Sequence, residues 1–115
     1  MEIKKPELTN KQELANKLYF YLLKQNDFVS KEQIGEVLGI KNERSVRDII
    51  ALLSTKKPII SHSGNKGYKL AKRKEDLEEV ERTWAELSKR IREMQARIEP
   101  LIKFRDRVKW RIKGE

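Results

Sequence analysis

The stretch SKEQIGEVLGIKNERSVRDIIALL, Ser30 to Leu53, decides the fold. Ser30 with Gln33 three residues on is the pattern of a reciprocal N-cap, each side chain satisfying an amide of the first turn. Ile34, Val37 and Leu38 follow at helical spacing, and Gly39 stands where a left-handed residue ends a helix. Ile40 is then placed to tuck back under that end. A second helix opens at Asn42 or its neighbour and carries Val46, Ile49, Ile50 and Leu53. Two short helices joined by a glycine-containing turn read as a helix-turn-helix.

Upstream, Thr9 and Asn10 are good caps, and Thr9 with Gln12, or Asn10 with Glu13, repeats the capping pattern. Helix 1 is therefore expected to begin near them, with Leu14, Leu18, Tyr21 and Leu22 on one face. Pro6 is expected to hold residues 1–8 out of that helix as a short arm. The helix should end near Asn26-Asp27, a turn-prone pair, leaving Phe28 and Val29 extended.

Downstream the character changes. Pro58-Ile59-Ile60-Ser61-His62 reads as a strand, Ser63-Gly64-Asn65-Lys66-Gly67 as a turn and Tyr68-Lys69-Leu70 as a returning strand. A hairpin after the second short helix has the shape of a wing, which completes a head over residues 9–71.

From Glu75 a third pattern begins. Leu77, Val80, Trp84, Leu87, Ile91, Met94, Ile98 and Leu101 alternate at spacings of three and four. Eight successive a and d positions are apolar, and mixed charge surrounds them (Glu78, Glu79, Arg82, Lys89, Arg90, Arg97). This is a coiled-coil seam, so residues 75–115 are expected to oligomerise or bind a partner. The alternative is that the seam folds back on the chain's own helix 1. Trp84 is large for a tight parallel dimer and leaves an antiparallel pair or a larger bundle open. Glu75 and Asp76 complement the dipole at the helix start. Pro100 is expected to kink or break the helix. Beyond it, Lys103, Arg105, Arg107, Lys109, Arg111 and Lys113 alternate with apolar residues as in a strand, while Leu101, Phe104, Val108 and Ile112 also fit a helix face. Helix is the favoured reading.

The fold class is thus mainly α with a small β-hairpin, a helix-turn-helix with a wing followed by a long coiled-coil-like helix. A chain of 115 residues fits one compact domain and an appendage. Its 27 Lys and Arg against 18 Asp and Glu give a net charge of +9. A surplus of that size points to a polyanionic partner, because each phosphate contact releases condensed counterions. No run is long and apolar enough to span a bilayer, and the first residues lack an apolar signal core, so no membrane partner is expected. The lack of cysteine excludes disulfides and thiolate metal sites and accords with a reducing cytoplasm. One histidine, His62, rules out any site needing two, and it reads as structural or as an exposed hairpin residue. With no metal cluster, no nucleophile beside a base and no nucleotide loop, neither an enzyme nor a cofactor is expected.

On a wheel of about 100° per residue the four apolar residues of the second short helix share one sector. Arg44, Asp48 and Ala51 fall opposite, with Ser45 and Arg47 flanking. An outer polar face near a helix N-terminus suits the major groove. Arginine can bond guanine twice and asparagine adenine twice, so Asn42, Arg44, Ser45 and Arg47 are candidates for base contact. Lys41 is a candidate for phosphate, and Asn65, Lys66 and Lys69 for groove or backbone contact from the wing. Asp48 repels phosphate and should pair with Arg44 or Arg47 or accept from a cytosine amino group. The bland reading of the same face is a solvated surface with salt bridges.

Residues 30–70 resemble the N-terminal winged-helix domain of the biotin protein ligase repressors and the broader helix-turn-helix group. The resemblance rests on Gln33-Ile34-Gly35-Glu36-Val37-Leu38-Gly39-Ile40, on Val46, Ile50 and Leu53, and on Gly67-Tyr68-Lys69-Leu70. It implies a three-helix core with a two-stranded wing and DNA contact by helix 3. It does not extend to a ligase domain, so biotin chemistry is not carried over. The turn before Val46 is one residue longer than in that group, which leaves the register of individual base contacts open. Stand-alone proteins of this build are common among phage and mobile-element regulators. The expected function is sequence-specific binding of double-stranded DNA, as a transcriptional regulator that is a homodimer or higher homo-oligomer in the cytoplasm. The alternatives are a phage or plasmid replication or partition accessory at an origin, and a protein-interaction module without DNA.

Overall fold

The computed structural model describes residues 6–64 and 67–114, with side chains described over 10–64 and 67–111. Its elements run α1 (Pro6–Lys24), α2 (Lys31–Leu38), α3 (Glu43–Ser54), β1 (Ile59–Ile60), β2 (Lys69–Leu70), a 3-10 turn (Lys74–Asp76) and α4 (Leu77–Gly114). The chain is mainly helical, with one small antiparallel hairpin and a C-terminal helix of 38 residues. It divides into two compact units, residues 1–83 and 84–115.

In the first unit, local chemistry sets each helix end. Ser30 accepts the amide of Gln33 at 3.1 Å, and the Gln33 side chain accepts the amide of Ser30 at 3.1 Å. Gly39 closes α2 at φ 71°, a conformation that costs a residue with a Cβ about 1–2 kcal/mol. Ile40 does tuck back, its amide donating to the carbonyl of Gly35 at 2.9 Å. α1 opens at Pro6 and not at Thr9 or Asn10. Proline is tolerated there because a first-turn residue has no carbonyl to donate to and its φ is already helical. The expected arm of residues 1–8 is thereby shortened from its C-terminal end, and residues 1–5 lie outside those described.

The core gathers the apolar faces of α1, α2 and α3 and one side of the hairpin. Ala15, Leu18 and Leu22 come from α1, Ile34 and Leu38 from α2, and Val46, Ile49, Ile50 and Leu53 from α3. Val29 and Leu70 close it from the sheet side. Each of the Val, Leu and Ile side chains contributes about 1.5–3 kcal/mol of burial. The hairpin pairs Ile59 with Leu70 and Ile60 with Lys69. Its strands are two residues each, shorter than the runs expected from Pro58 and Tyr68. Val29 adds a third line, exchanging both backbone hydrogen bonds with Tyr68 at 2.8 and 2.9 Å. Gly67 makes that approach possible: its φ is 144°, and a Cβ on it would stand 2.7 Å from the Val29 carbonyl oxygen.

The first turns of α4 belong to this same unit, which carries it past the end of the hairpin. Thr83 Oγ1 accepts the amide of Ser61 at 3.0 Å, and His62 Nε2 lies 3.0 Å from Glu79 Oε1. Asp76 accepts the amides of Lys72 and Arg73 at 2.9 and 3.2 Å. Lys72 in turn donates to the carbonyls of Leu23 and Gln25 at 3.0 and 2.6 Å, satisfying the C-terminal end of α1 where a cation also suits the dipole.

The second unit is helix throughout its described length. α4 runs on through Pro100, so the break expected there does not occur. A proline inside a helix forfeits one hydrogen bond and strains one turn, a local cost of about 3 kcal/mol that flanking turns can carry. The strand reading beyond Pro100 is also set aside, and the alternate basic residues are spread around the helix.

Candidate nucleic-acid interface

α3 presents two unlike faces. Val46, Ile49, Ile50 and Leu53 are buried, while Arg44, Arg47, Asp48 and Ala51 are exposed and Ser45 is half-buried. The helix starts where it does because Asn42 Oδ1 accepts the amides of Arg44 and Ser45 at 2.8 and 3.2 Å. That cap occupies the oxygen a bidentate adenine contact would need. Asn42 therefore positions the helix, and only its amide nitrogen remains to meet a ligand.

Of the candidate arginines, Arg44 makes no ion pair with another described residue. Arg47 donates through Nη2 to Glu43 Oε1 at 2.7 Å, and Lys31 reaches the same oxygen from α2. The hydrogen bond and charge of Lys31, followed by the charge of Arg47, lower the Glu43 pKa below its ordinary value. Glu43 is not among the residues expected at the site, although its i,i+4 spacing to Arg47 is a local sign of the pair. Asp48, expected to pair with Arg44 or Arg47, makes no ion pair among the described residues. Lys41 is exposed beside the turn.

The hairpin residues fare differently. Lys69 is not a free cation at the wing. Its ammonium lies 2.9 Å from Asp76 Oδ1 and 5.8 Å above the Phe28 ring, and the side chain is 19% exposed. It sits in a strand, where alternation turns it toward the start of α4, so its charge is spent within the head. Asn65 and Lys66 lie outside the described residues. No group of three or more potential metal ligands occurs among the described residues.

The seam residues of the second unit are open. Trp84, Leu87, Ile91, Met94, Ile98 and Leu101 are 48–69% exposed in the single chain, as is Leu77 at 57%, whereas Val80 is half-buried. No described helix is long and apolar enough to cross a membrane. Comparison of the chain with family models, curated proteins and solved structures finds no match.

Proposed function

We propose that the chain is a sequence-specific double-stranded DNA-binding protein of the winged helix-turn-helix type. In this reading it is a regulator working as a homodimer or higher homo-oligomer through the seam of α4. One observation carries the proposal. α3 turns its apolar sector wholly into the core and leaves Arg44 and Arg47 exposed in its first two turns, next to Lys41, on a chain of net charge +9. Arg44, without an acidic partner among the described residues, is the group best suited to bond the two acceptors of a guanine. Arg47 engages Glu43 through one nitrogen only, so most of its donors remain for phosphate or base. Lys41 suits phosphate. Closing the seam would remove exposed apolar surface from water at about 25 cal/mol per Å² and would join two heads, doubling the contacts.

A gel shift with random duplex at low salt tests this reading. Binding that weakens steeply as salt rises supports it, and absence of binding overturns it. Selection of bound fragments from a random pool then gives the site, and repeated sites would mark an origin-binding accessory in place of an operator-binding regulator.

A second reading, a docking module without DNA, is favoured by Glu43 and Asp48, two carboxylates on the exposed side of α3 that repel phosphate. The same gel shift separates the two.

A further inference from the structure

The second unit carries ten Lys and Arg against five Asp and Glu, a surplus of five out of the nine of the whole chain. Much of it lies along one line. Arg90, Arg97 and Arg111 recur at multiples of seven, and on a helix of about 100° per residue they fall within a sector of roughly 60°. All three are exposed, and none makes an ion pair with another described residue. The third place in the row is Phe104, over whose ring the guanidinium of Arg107 stands at 5.8 Å. The row spans roughly 32 Å at about 1.5 Å per residue.

A second copy of α4 does not supply the missing counter-charge. With Leu77, Trp84 and Ile91 at a positions, the arginine row occupies g, the place from which coiled coils usually make interhelical ion pairs. In a parallel pair Arg90 would face Gln95 of the other copy, and Arg97 would face Ile102. In an antiparallel pair the two arginine rows would face each other and repel. The row is thus a line of uncompensated guanidinium groups, each able to bond two phosphate oxygens at once.

We propose that Arg90, Arg97 and Arg111 form a second phosphate-binding element that engages the backbone of duplex DNA outside the head. This rests on the DNA-binding reading given above. The element adds affinity without sequence preference, because phosphates carry none. A membrane surface fits the row less well, since Trp110, 75% exposed, lies opposite the apolar seam and not with it, as an interface-lying helix would have it. In a parallel pair no like charges would meet across the seam.

The test compares the full chain with its Arg90→Gln, Arg97→Gln, Arg111→Gln variant on random duplex over roughly 50 to 200 mM salt. The slope of log Kd against log salt is expected to fall by about 2–3 per protomer, with the sedimentation mass unchanged. The corresponding triple lysine variant, which keeps the charge, should restore the slope. An unchanged slope in the glutamine variant, while the unmodified chain binds duplex, overturns this proposal alone. Failure of the unmodified chain to bind duplex at low salt overturns the DNA-binding reading and this proposal with it. Loss of binding to phosphatidylglycerol vesicles in the variant, with the DNA slope intact, overturns it in favour of a lipid surface.

Discussion

Nε2 of His62 lies 3.0 Å from Oε1 of Glu79, and this pair joins the hairpin to the first turns of α4. Nδ1 of the same ring accepts the Gly64 amide at 3.0 Å, so the ring hydrogen sits on Nε2 and points at the carboxylate. The His62 side chain is 1% exposed, and a Cβ on Gly64 would stand 2.9 Å from its Cε1. The histidine is a bracket between two elements and takes no part in the proposed interface.

His62→Ala should therefore cost about 1–3 kcal/mol in urea unfolding, since it removes a buried ring and leaves its partners without it. A double-mutant cycle with Glu79→Ala should give a coupling energy above about 0.5 kcal/mol. Additive losses would mean that the two residues stabilise the joint independently.

Asp76 is the second bracket, and it makes the joint sensitive to acid. Its pKa is lowered to about 2 by hydrogen bonds from the Lys72 amide and the Lys69 ammonium, with the Arg73 amide and the charge of Lys69 adding to them against the opposing effect of burial. A folded pKa below the unfolded one means that the stabilisation is complete above about pH 4 and is lost as pH falls toward 2. Asp76→Asn should lower stability at neutral pH by about 1–3 kcal/mol and flatten the acid limb between about pH 4 and pH 2. Urea midpoints measured across that range check it; an acid limb as steep as that of the unmodified chain would assign the sensitivity to other carboxylates.

Gly35 lies mid-helix in α2, where alanine would normally gain about 1 kcal/mol. Here a Cβ would stand 2.9 Å from the Ile40 carbonyl oxygen and 3.4 Å from Val46 Cγ2. The first of these is backbone in the turn leading to α3 and has little room to yield. Gly35→Ala is expected to destabilise by about 1–3 kcal/mol and lower the thermal midpoint. A raised midpoint would show that the turn can move away.

What could be read from the residues and what could not divide by distance along the chain. The caps of α2 and α3, the left-handed Gly39 and the core sector of α3 all involve neighbours within four residues, and spacing alone reveals them. Lys72 reaching the carbonyls of Leu23 and Gln25 leaves no local pattern, because its partners lie 49 and 47 residues away. The same is true of Thr83 holding Ser61 across 22 residues. Lys69 illustrates the consequence for the candidate site. Its place beside the glycine-bounded turn marks it as a wing cation, and only the fold brings Asp76 against it. Pro6 and Pro100 lie within helices for a different reason: a local propensity cost is modest beside the cooperativity of a long helix or the tolerance of a first turn.

Arg44→Ala together with Arg47→Ala tests α3 directly. Both side chains lie off the core sector, so circular dichroism and thermal midpoint should stay close to those of the unmodified chain. Losing two guanidinium contacts should weaken binding to a selected site by about 2 kcal/mol or more, and binding to random duplex by less. The contrast between the two ligands separates base contact from phosphate contact. Equal affinity for the selected site would remove α3 from the interface.

Leu87 and Ile91 are 49% and 56% exposed, far more than any side chain of the head's core, so carboxylates there meet no buried neighbour within the single chain. In a paired helix they would fall at successive d and a positions, where four like charges would crowd the interface of a dimer. Leu87→Asp with Ile91→Asp should therefore sediment as a monomer while the head unfolds at its usual urea concentration. DNA affinity should drop with the lost second head, and a single half-site should be bound no worse than before. A variant that keeps the mass of the unmodified oligomer would show that the seam is not the contact between copies. A variant whose head is unfolded would show that these two residues pack on the head, and the coiled-coil assignment would give way to an intramolecular one.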